Sequence, residues 1–378
     1  MKILLVGEYS RLHNSLKEGL TALGHEVLLI SSGDFFKDYP SDIKLKRKFD
    51  SGIQKKLKTL LYKFTGVNIT SLSLKNQFFK HTERLTGFDI VQLINESSFA
   101  ATPKYEKEFI DFLHLNNKKL FLLSCGTDYV SVAFGLSNKL EYSIFKGYLD
   151  NTVSKETYFS SLKYLAPAYK ELHNYVYSKI EGVIATDMDY HLPLENHPKY
   201  LGLIPNPVNI DKIKTPKTQE PTHKIKIFLG INRSNYHTKG IVYFEEALEI
   251  IQKKYADKVE VVVVENLPYK EYITKFDKAH ILLDQALAYD QGYNALEAMA
   301  KGKVVFTGAS PQFEAFHNLK NQVAIHTRPD TQEIVANLEL LIKNPEKITE
   351  ISKNAINFIE KEHHYITIAQ KYIDIYTT

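Results

Sequence analysis

Residues Lys2–Ile30 read KILLVGEYSRLHNSLKEGLTALGHEVLLI. An apolar run ends in Gly7. Leu16, Leu20 and Leu23 then recur at helical spacing, Gly24 stops the helix, and Val27–Ile30 form a second apolar run. Strand, helix, strand in this order needs a crossover, so the strands are parallel. Repetition of the unit builds a doubly wound sheet.

The same grammar recurs. Phe88–Ile94, Lys118–Ser124 and Ile180–Thr186 are strand-like, and a Tyr-rich, mostly helical stretch runs from Tyr142 to Ser178. Ile204–Lys224 holds four prolines and little apolar periodicity, which marks a linker. Beyond it the order restarts with IKIFLG, IVYFEEALEIIQKKY, VEVVVVE, AHILLDQAL, GYNALEAMAKG and KVVFTG. The expected fold is α/β, with two Rossmann-like doubly wound domains facing each other across a cleft. The expected boundaries are residues 1–205, a linker over 206–222, a second domain over 223–360, and a C-terminal helical stretch over 361–378.

A chain of 378 residues exceeds one hydrophobic core, in keeping with two domains. Hydrophobic content of 44% and charged content of 24% are ordinary for a globular protein. A net charge of +4 is too weak to argue for nucleic acid. The single cysteine, Cys125, excludes an intramolecular disulfide and fits a reducing compartment. The first apolar run is too short for a signal peptide, and no stretch is long enough to cross a bilayer. The expectation is a cytoplasmic protein that at most lies on the inner face of a membrane. His191, His197, His363 and His364 form no ligand cluster, so no metal site is expected.

Two stretches carry the chemistry. In FLGINRSNYHTKG (Phe228–Gly240), Arg233 and Lys239 follow a strand with no acid between them. A solvated surface loop is the plain alternative. Their place beyond the carboxyl end of a parallel strand favours an anionic ligand instead. A diphosphate fits, because Arg forks two oxygens and Lys acts as a point charge. Gly230 reads as a sharp turn, and Gly240 as a helix start close to a ligand. In YDQGYNALEAMAKGK (Tyr289–Lys303), Gly292 precedes a short helix. Its first free amides, on Tyr293, Asn294 and Ala295, also suit phosphate. Glu297, in the second turn, can accept hydrogen bonds from two adjacent hydroxyls, as on a ribose; an exposed helical Glu is the alternative.

At these residues the chain resembles the retaining GT-B glycosyltransferases of family 4, the group 1 glycosyl transferases. GINRSNYHTKG is similar to the family's Gly–Arg–(several)–Lys–Gly segment, and GYNALEAMAKGK to its Gly–aromatic–Leu–Glu–Ala–Met–Ala–x–Gly–Lys helix. LLDQAL, with Asp284 and Gln285, matches a subset of members. VGEYSRLHNSLKEGLTALGHEV, SCGTD and IPNPVNID resemble N-terminal segments more loosely. The resemblance implies transfer of a sugar from a nucleoside-diphosphate sugar to a glycan or lipid-linked acceptor, in bacterial surface polysaccharide synthesis, with no cofactor. It implies that Arg233 and Lys239 grip the diphosphate, that Glu297 holds the ribose, and that Asn266, Leu267 and Tyr269 lie nearest the base. Gly7, Glu8, Tyr9, Cys125 and Asp128 fall on the acceptor side, where Gly7 lets the first loop approach sugar and acceptor. It further implies that the C-terminal helix crosses back to the first domain. Two departures stand out. Tyr289 occupies the place of an acid that reads sugar hydroxyls, leaving that role to Asp290 or Asp284. Cys125 replaces a frequent His.

KLKRKFDSGIQKKLKTLLYKF (Lys44–Phe64) carries eight cations against Asp50 alone. Ile53, Leu57, Leu60, Leu61 and Phe64 form an apolar stripe. A helix lying on anionic lipid and a helix packed on its own domain share this pattern.

Three rivals remain. A dehydrogenase is disfavoured because VGEYSRLHNS lacks G-x-G-x-x-G spacing. A nucleotide-sugar epimerase would share the diphosphate site. A non-catalytic nucleotide-sugar-binding protein would fit the residues at Tyr289 and Cys125.

Overall fold

Strand β1 (Lys2–Val6) lies at the middle of the first sheet, and alternate residues enter different cores. Leu4 and Val6 join one apolar cluster; Ile3 and Leu5 join another. A strand buried on both faces needs helices on both, which is the doubly wound arrangement. The computed structural model describes residues 1–33, 39–213, 221, 223–265, 267 and 269–378.

The other strands of this sheet are β2 (Glu26–Ser31), β3 (Ile43–Lys44), β4 (Ile90–Leu93), β5 (Lys119–Ser124), β6 (Gly182–Ala185) and β7 (Tyr200–Leu203). Their order is β3-β2-β1-β4-β5-β6-β7, all parallel. The second sheet contains β8 (Ile225–Ile231), β9 (Val259–Glu265), β10 (Ile281–Leu283), β11 (Val304–Thr307) and β12 (Ile325–His326), in the order β12-β11-β10-β8-β9. It too is parallel throughout. Strand order reverses between β1 and β4 in one sheet and between β8 and β10 in the other. The loops leaving those strands open a crevice at each reversal.

Two chain crossings join the domains, and they are tied together. The Val208 amide donates to the His363 carbonyl at 2.8 Å, and the Tyr365 amide to the Val208 carbonyl at 3.2 Å. His363 Nδ1 lies 2.8 Å from the Asn206 carbonyl. The helix Glu346–Glu362 packs on the second domain through Ala355, Phe358 and Ile359. The helix Tyr365–Thr377 packs on the first, burying Ile368, Ala369, Tyr372 and Tyr376 among Ile3, Leu5 and Leu16. Gly19 permits this contact: a Cβ there would lie 2.3 Å from the Tyr365 carbonyl oxygen. Linker residues 214–220 and 222 lie outside the described residues.

The basic run departs from the expected single helix. Lys44 ends β3, and the helix spans Gly52–Thr65. Asp50 pairs with both Arg47 and Lys58, so two of the cations are neutralised before the helix ends. No residue of this helix is buried. Ile53 is 77% exposed and Phe64 81%, so the stripe is not packed on its own domain. Among the described residues, no helix is long and apolar enough to cross a membrane.

Candidate active site

β8 runs through Ile231, and the chain then makes a 3-10 turn (Arg233–Asn235) and one helical turn (Tyr236–Lys239). Gly240, at φ +67°, joins this turn to the helix Ile241–Lys254. The two cations do have partners. Arg233 Nη2 donates to Glu265 Oε2 at 2.7 Å, and Lys239 Nζ to Asp284 Oδ1 at 2.8 Å. The expectation of unneutralised charge is corrected here. Register explains it: Ile231 pairs with Glu265 on β9, and Leu229 with Leu283 on β10. Parallel neighbours thus deliver acids that lie far away in sequence.

The two pairs differ in kind. Arg233 is 51% exposed in its side chain, and solvent screens such a surface pair, so it adds little to stability. Asp284 is 1% exposed and also accepts from Asn294 Nδ2 at 2.9 Å. An ammonium has three N–H donors. Among the described residues, Lys239 uses one of them, on Asp284, and keeps two for a ligand.

The helix Tyr293–Ala300 starts at Gly292 in the same crevice. The amides of Ala295 and Leu296 both donate to the Gly292 carbonyl, at 2.9 and 3.1 Å. Ala295 is therefore not a free donor, because the first turn closes more tightly than assumed. Tyr293 and Asn294 keep amides without a backbone acceptor, as the start of a helix requires. Glu297 is half-buried on this helix and contributes to the field at Arg11 of the first domain. Burial opposes the Arg11 charge, and Glu18, in contact with it at 2.9 Å, together with Tyr293 and Glu297 outweighs that opposition.

Several expected residues have other work. Gly230 is inside β8 and makes no turn; a Cβ there would lie 2.8 Å from the Tyr272 ring. Gly7, at φ +86°, is buried, and a Cβ would lie 2.3 Å from Ile94 Cγ2. Close packing beneath the loop and the positive φ both call for glycine there. Glu8 is buried and accepts from the Asn14 amide and side chain at 2.8 and 2.6 Å. Asp128 caps the helix Tyr129–Gly135 through Ser131 and accepts from Ser124 Oγ. Leu267 packs against the second domain's core. Asn266 and the side chain of Tyr269 lie outside the described residues.

Among the described residues, two adjoining cavities, of about 500 and 200 Å³, lie in the cleft. Both are lined by Thr127, Asp187, Tyr190 and Gly292, so they share a boundary. Tyr9, Ser10, Arg47, Cys125 and Lys163 line the larger. Gln285, Asp189 and Asp290 line the smaller. Ser10 (φ 50°) and Arg11 (φ 74°) both hold left-handed backbone, a strain that concentrates at functional loops. Arg233 and Lys239 line neither cavity.

Reciprocal bonds close the domains over the smaller cavity. Asp189 accepts from the Tyr289 amide at 3.1 Å, and Asp290 Oδ2 from the Met188 amide at 3.0 Å. Burial raises the pKa of both carboxyls and of Asp187 beside them; repulsion from Asp290 adds to it at Asp189, and repulsion from Asp189 and Asp290 at Asp187. Tyr289 stacks on Tyr142 with centroids 4.8 Å apart. Tyr293 OH lies 2.5 Å from both Ser15 Oγ and the Pro207 carbonyl. Of the two candidate acids, Asp290 faces the cavity and Asp284 sits under Lys239. Sequence reading missed Asp187, Asp189, Arg47 and Lys163. The two aspartates follow β6 at its carboxyl end, which was an available signal.

Residues 232–374 match the model of the glycosyl transferase-like family. No curated protein matches the chain. Among solved structures, sucrose-phosphate synthase from Thermosynechococcus elongatus is 15% identical with a TM-score of 0.63, over 100% of this chain and 98% of that one. Anabaena HepE in complex with UDP-glucose is 13% identical with a TM-score of 0.59, over 100% and 99%. The fold is GT-B. A Listeria monocytogenes chain described as a UDP-N-acetylglucosamine 2-epimerase also aligns, at 10% identity and a TM-score of 0.55, over 98% and 94%. The GT-B fold is thus shared by proteins named for transfer and for epimerisation, and the site must decide between them.

Proposed function

We propose that the protein is a retaining glycosyltransferase that moves a sugar from a nucleoside-diphosphate sugar to a hydroxyl acceptor in the larger cavity. The carrying observation is the group at the second sheet's reversal point. Among the described residues, Lys239 has two unused N–H donors and sits on Asp284; Asn294 bonds to the same Asp284, and its own amide has no acceptor, nor has that of Tyr293. These donors suit the leaving diphosphate. Arg233 joins them by leaving Glu265, a weak exposed pair that a diphosphate outcompetes. HepE, of the same fold, is titled as a complex with UDP-glucose.

In the reaction, the bond from the anomeric carbon to the β-phosphate oxygen breaks and its electron pair stays on that oxygen. The acceptor hydroxyl attacks the anomeric carbon from the same face, and its proton passes to the leaving phosphate. Fixed cations and amides aimed at the developing charge supply the main rate effect, on the order of a hundredfold per donor removed. Glu297 holds the ribose, and Asp290 is the acid placed to read sugar hydroxyls from the smaller cavity. The two side-chain cations serve in place of a metal.

The exposed stripe on Gly52–Thr65, ringed by lysines, adds a second element: the protein works at an anionic membrane face, in bacterial surface polysaccharide synthesis on a lipid-linked acceptor. The deciding experiment is incubation with a panel of nucleotide sugars, UDP-glucose first. Release of free nucleoside diphosphate supports transfer or its hydrolytic shadow. Conversion of donor alone to a new epimer overturns the reading, and so does nucleotide binding without turnover.

A further inference from the structure

The larger cavity has two cations in its wall, and they are unequally satisfied. Arg47 Nε pairs with Asp50 Oδ2 at 2.9 Å, and Nη1 donates to the carbonyls of Phe99 and Ala100 at 2.9 and 3.1 Å. Lys163 begins a 3-10 turn (Lys163–Leu165) and is half-buried. Its ammonium stands 4.9 Å from the centroid of Tyr164 and 5.6 Å from that of Tyr169. Among the described residues it has no carboxylate in ion-pair contact and no hydrogen-bond acceptor. Burial, and then Arg47, lower its pKa, with Glu106 acting against them. Glu106 is itself committed, because it accepts from the amides of Ala101 and Phe99 at 2.7 and 3.3 Å.

Ring faces attract an ammonium but do not replace its lost water donors-to-acceptor contacts one for one. A cation kept half out of water, beside a second cation and facing a cavity, is set up for an incoming anion. Arg233 and Lys239 line neither cavity, so this anion is not the donor diphosphate placed above. We propose that the acceptor carries an oxyanion, a phosphate or a carboxylate, that pairs with Lys163, with Arg47 beside it. This deepens the transferase reading and rests on it for the word acceptor. The anion site itself rests on the cavity alone.

The test is calorimetric titration of the full-length protein with glucose 6-phosphate, glucuronate and glucose. At least one anionic sugar binds tenfold or more tighter than glucose. Lys163→Gln removes that preference, while Lys163→Arg retains it. The better of the two anions identifies phosphate or carboxylate as the group read. Equal binding of charged and neutral sugars, or an anion preference unchanged in Lys163→Gln, overturns the proposal. UDP is titrated separately into the wild type and Lys163→Gln. Absence of UDP binding counts against the donor reading and leaves the sugar titrations to decide the anion site.

Discussion

Lys239 and Asp284 meet across the point where the second sheet reverses its strand order, Nζ to Oδ1 at 2.8 Å. A buried acid thereby fixes the position of a partly exposed cation. Sequence separation hides this contact, because the partners are 45 positions apart.

The pair predicts a split between two variants that look alike on paper. Lys239→Ala leaves the Asp284 carboxylate buried and uncompensated, and should cost about 2–3 kcal/mol of stability after allowance for partial exposure. Arg233→Ala removes an exposed ion pair and a contact over the Tyr236 ring, and should leave the urea midpoint nearly unchanged. Both should lower nucleotide-sugar turnover about a hundredfold. Urea unfolding and diphosphate release, measured on the same preparations, check both halves.

Tyr293→Phe removes one hydroxyl and two interdomain contacts, to Ser15 and Pro207. Loss of a buried hydrogen bond that leaves its acceptor unpaired costs about 1–3 kcal/mol. The variant should melt lower and show a larger radius of gyration in small-angle scattering. An unchanged scattering profile would show that this hydroxyl does not hold the domains closed.

Glu106 sets a pH dependence. Burial pushes its carboxyl up to about 7 from an ordinary 4.5. Between those values the folded protein binds more protons at this site than the unfolded chain does. Its contribution is therefore complete below about 4.5 and is lost as pH rises through about 7. Glu106→Gln should remove on the order of 2–3 kcal/mol of this slope. Relative to the wild type, the variant should gain stability from pH 5 to pH 8, as read by urea midpoints at both.

The helix Gly52–Thr65 predicts binding to vesicles containing anionic lipid at low salt, and much weaker binding to neutral vesicles. Leu57→Ser with Phe64→Ser should abolish co-sedimentation without lowering the melting temperature, because both side chains are exposed. Failure of the wild type to sediment with anionic vesicles would end the membrane reading.

The fold was largely legible because parallel strands buried on both faces are apolar runs, and Lys2–Ile30 shows two of them around a helix. The helix start at Gly292 was legible for a similar reason: its signal is local. What sequence hid is pairing across strand ends. Glu265 and Asp284 neutralise the two cations from 32 and 45 residues away. Gly230 was misread because a glycine that makes room for a ring resembles a glycine that turns. Lys163 was invisible inside a Tyr-rich stretch, since only folding leaves it without an acid.

The last helix, Tyr365–Thr377, belongs by packing to the opposite half from the chain that leads into it. A cut in the linker would therefore not yield two self-sufficient pieces. The amino-terminal piece would have an open apolar slot beside Ile3 and Leu5, and the other piece would carry the matching plug of Tyr372 and Tyr376. Co-expressed as separate polypeptides, the two should find each other and reassemble, which makes this architecture a natural split reporter.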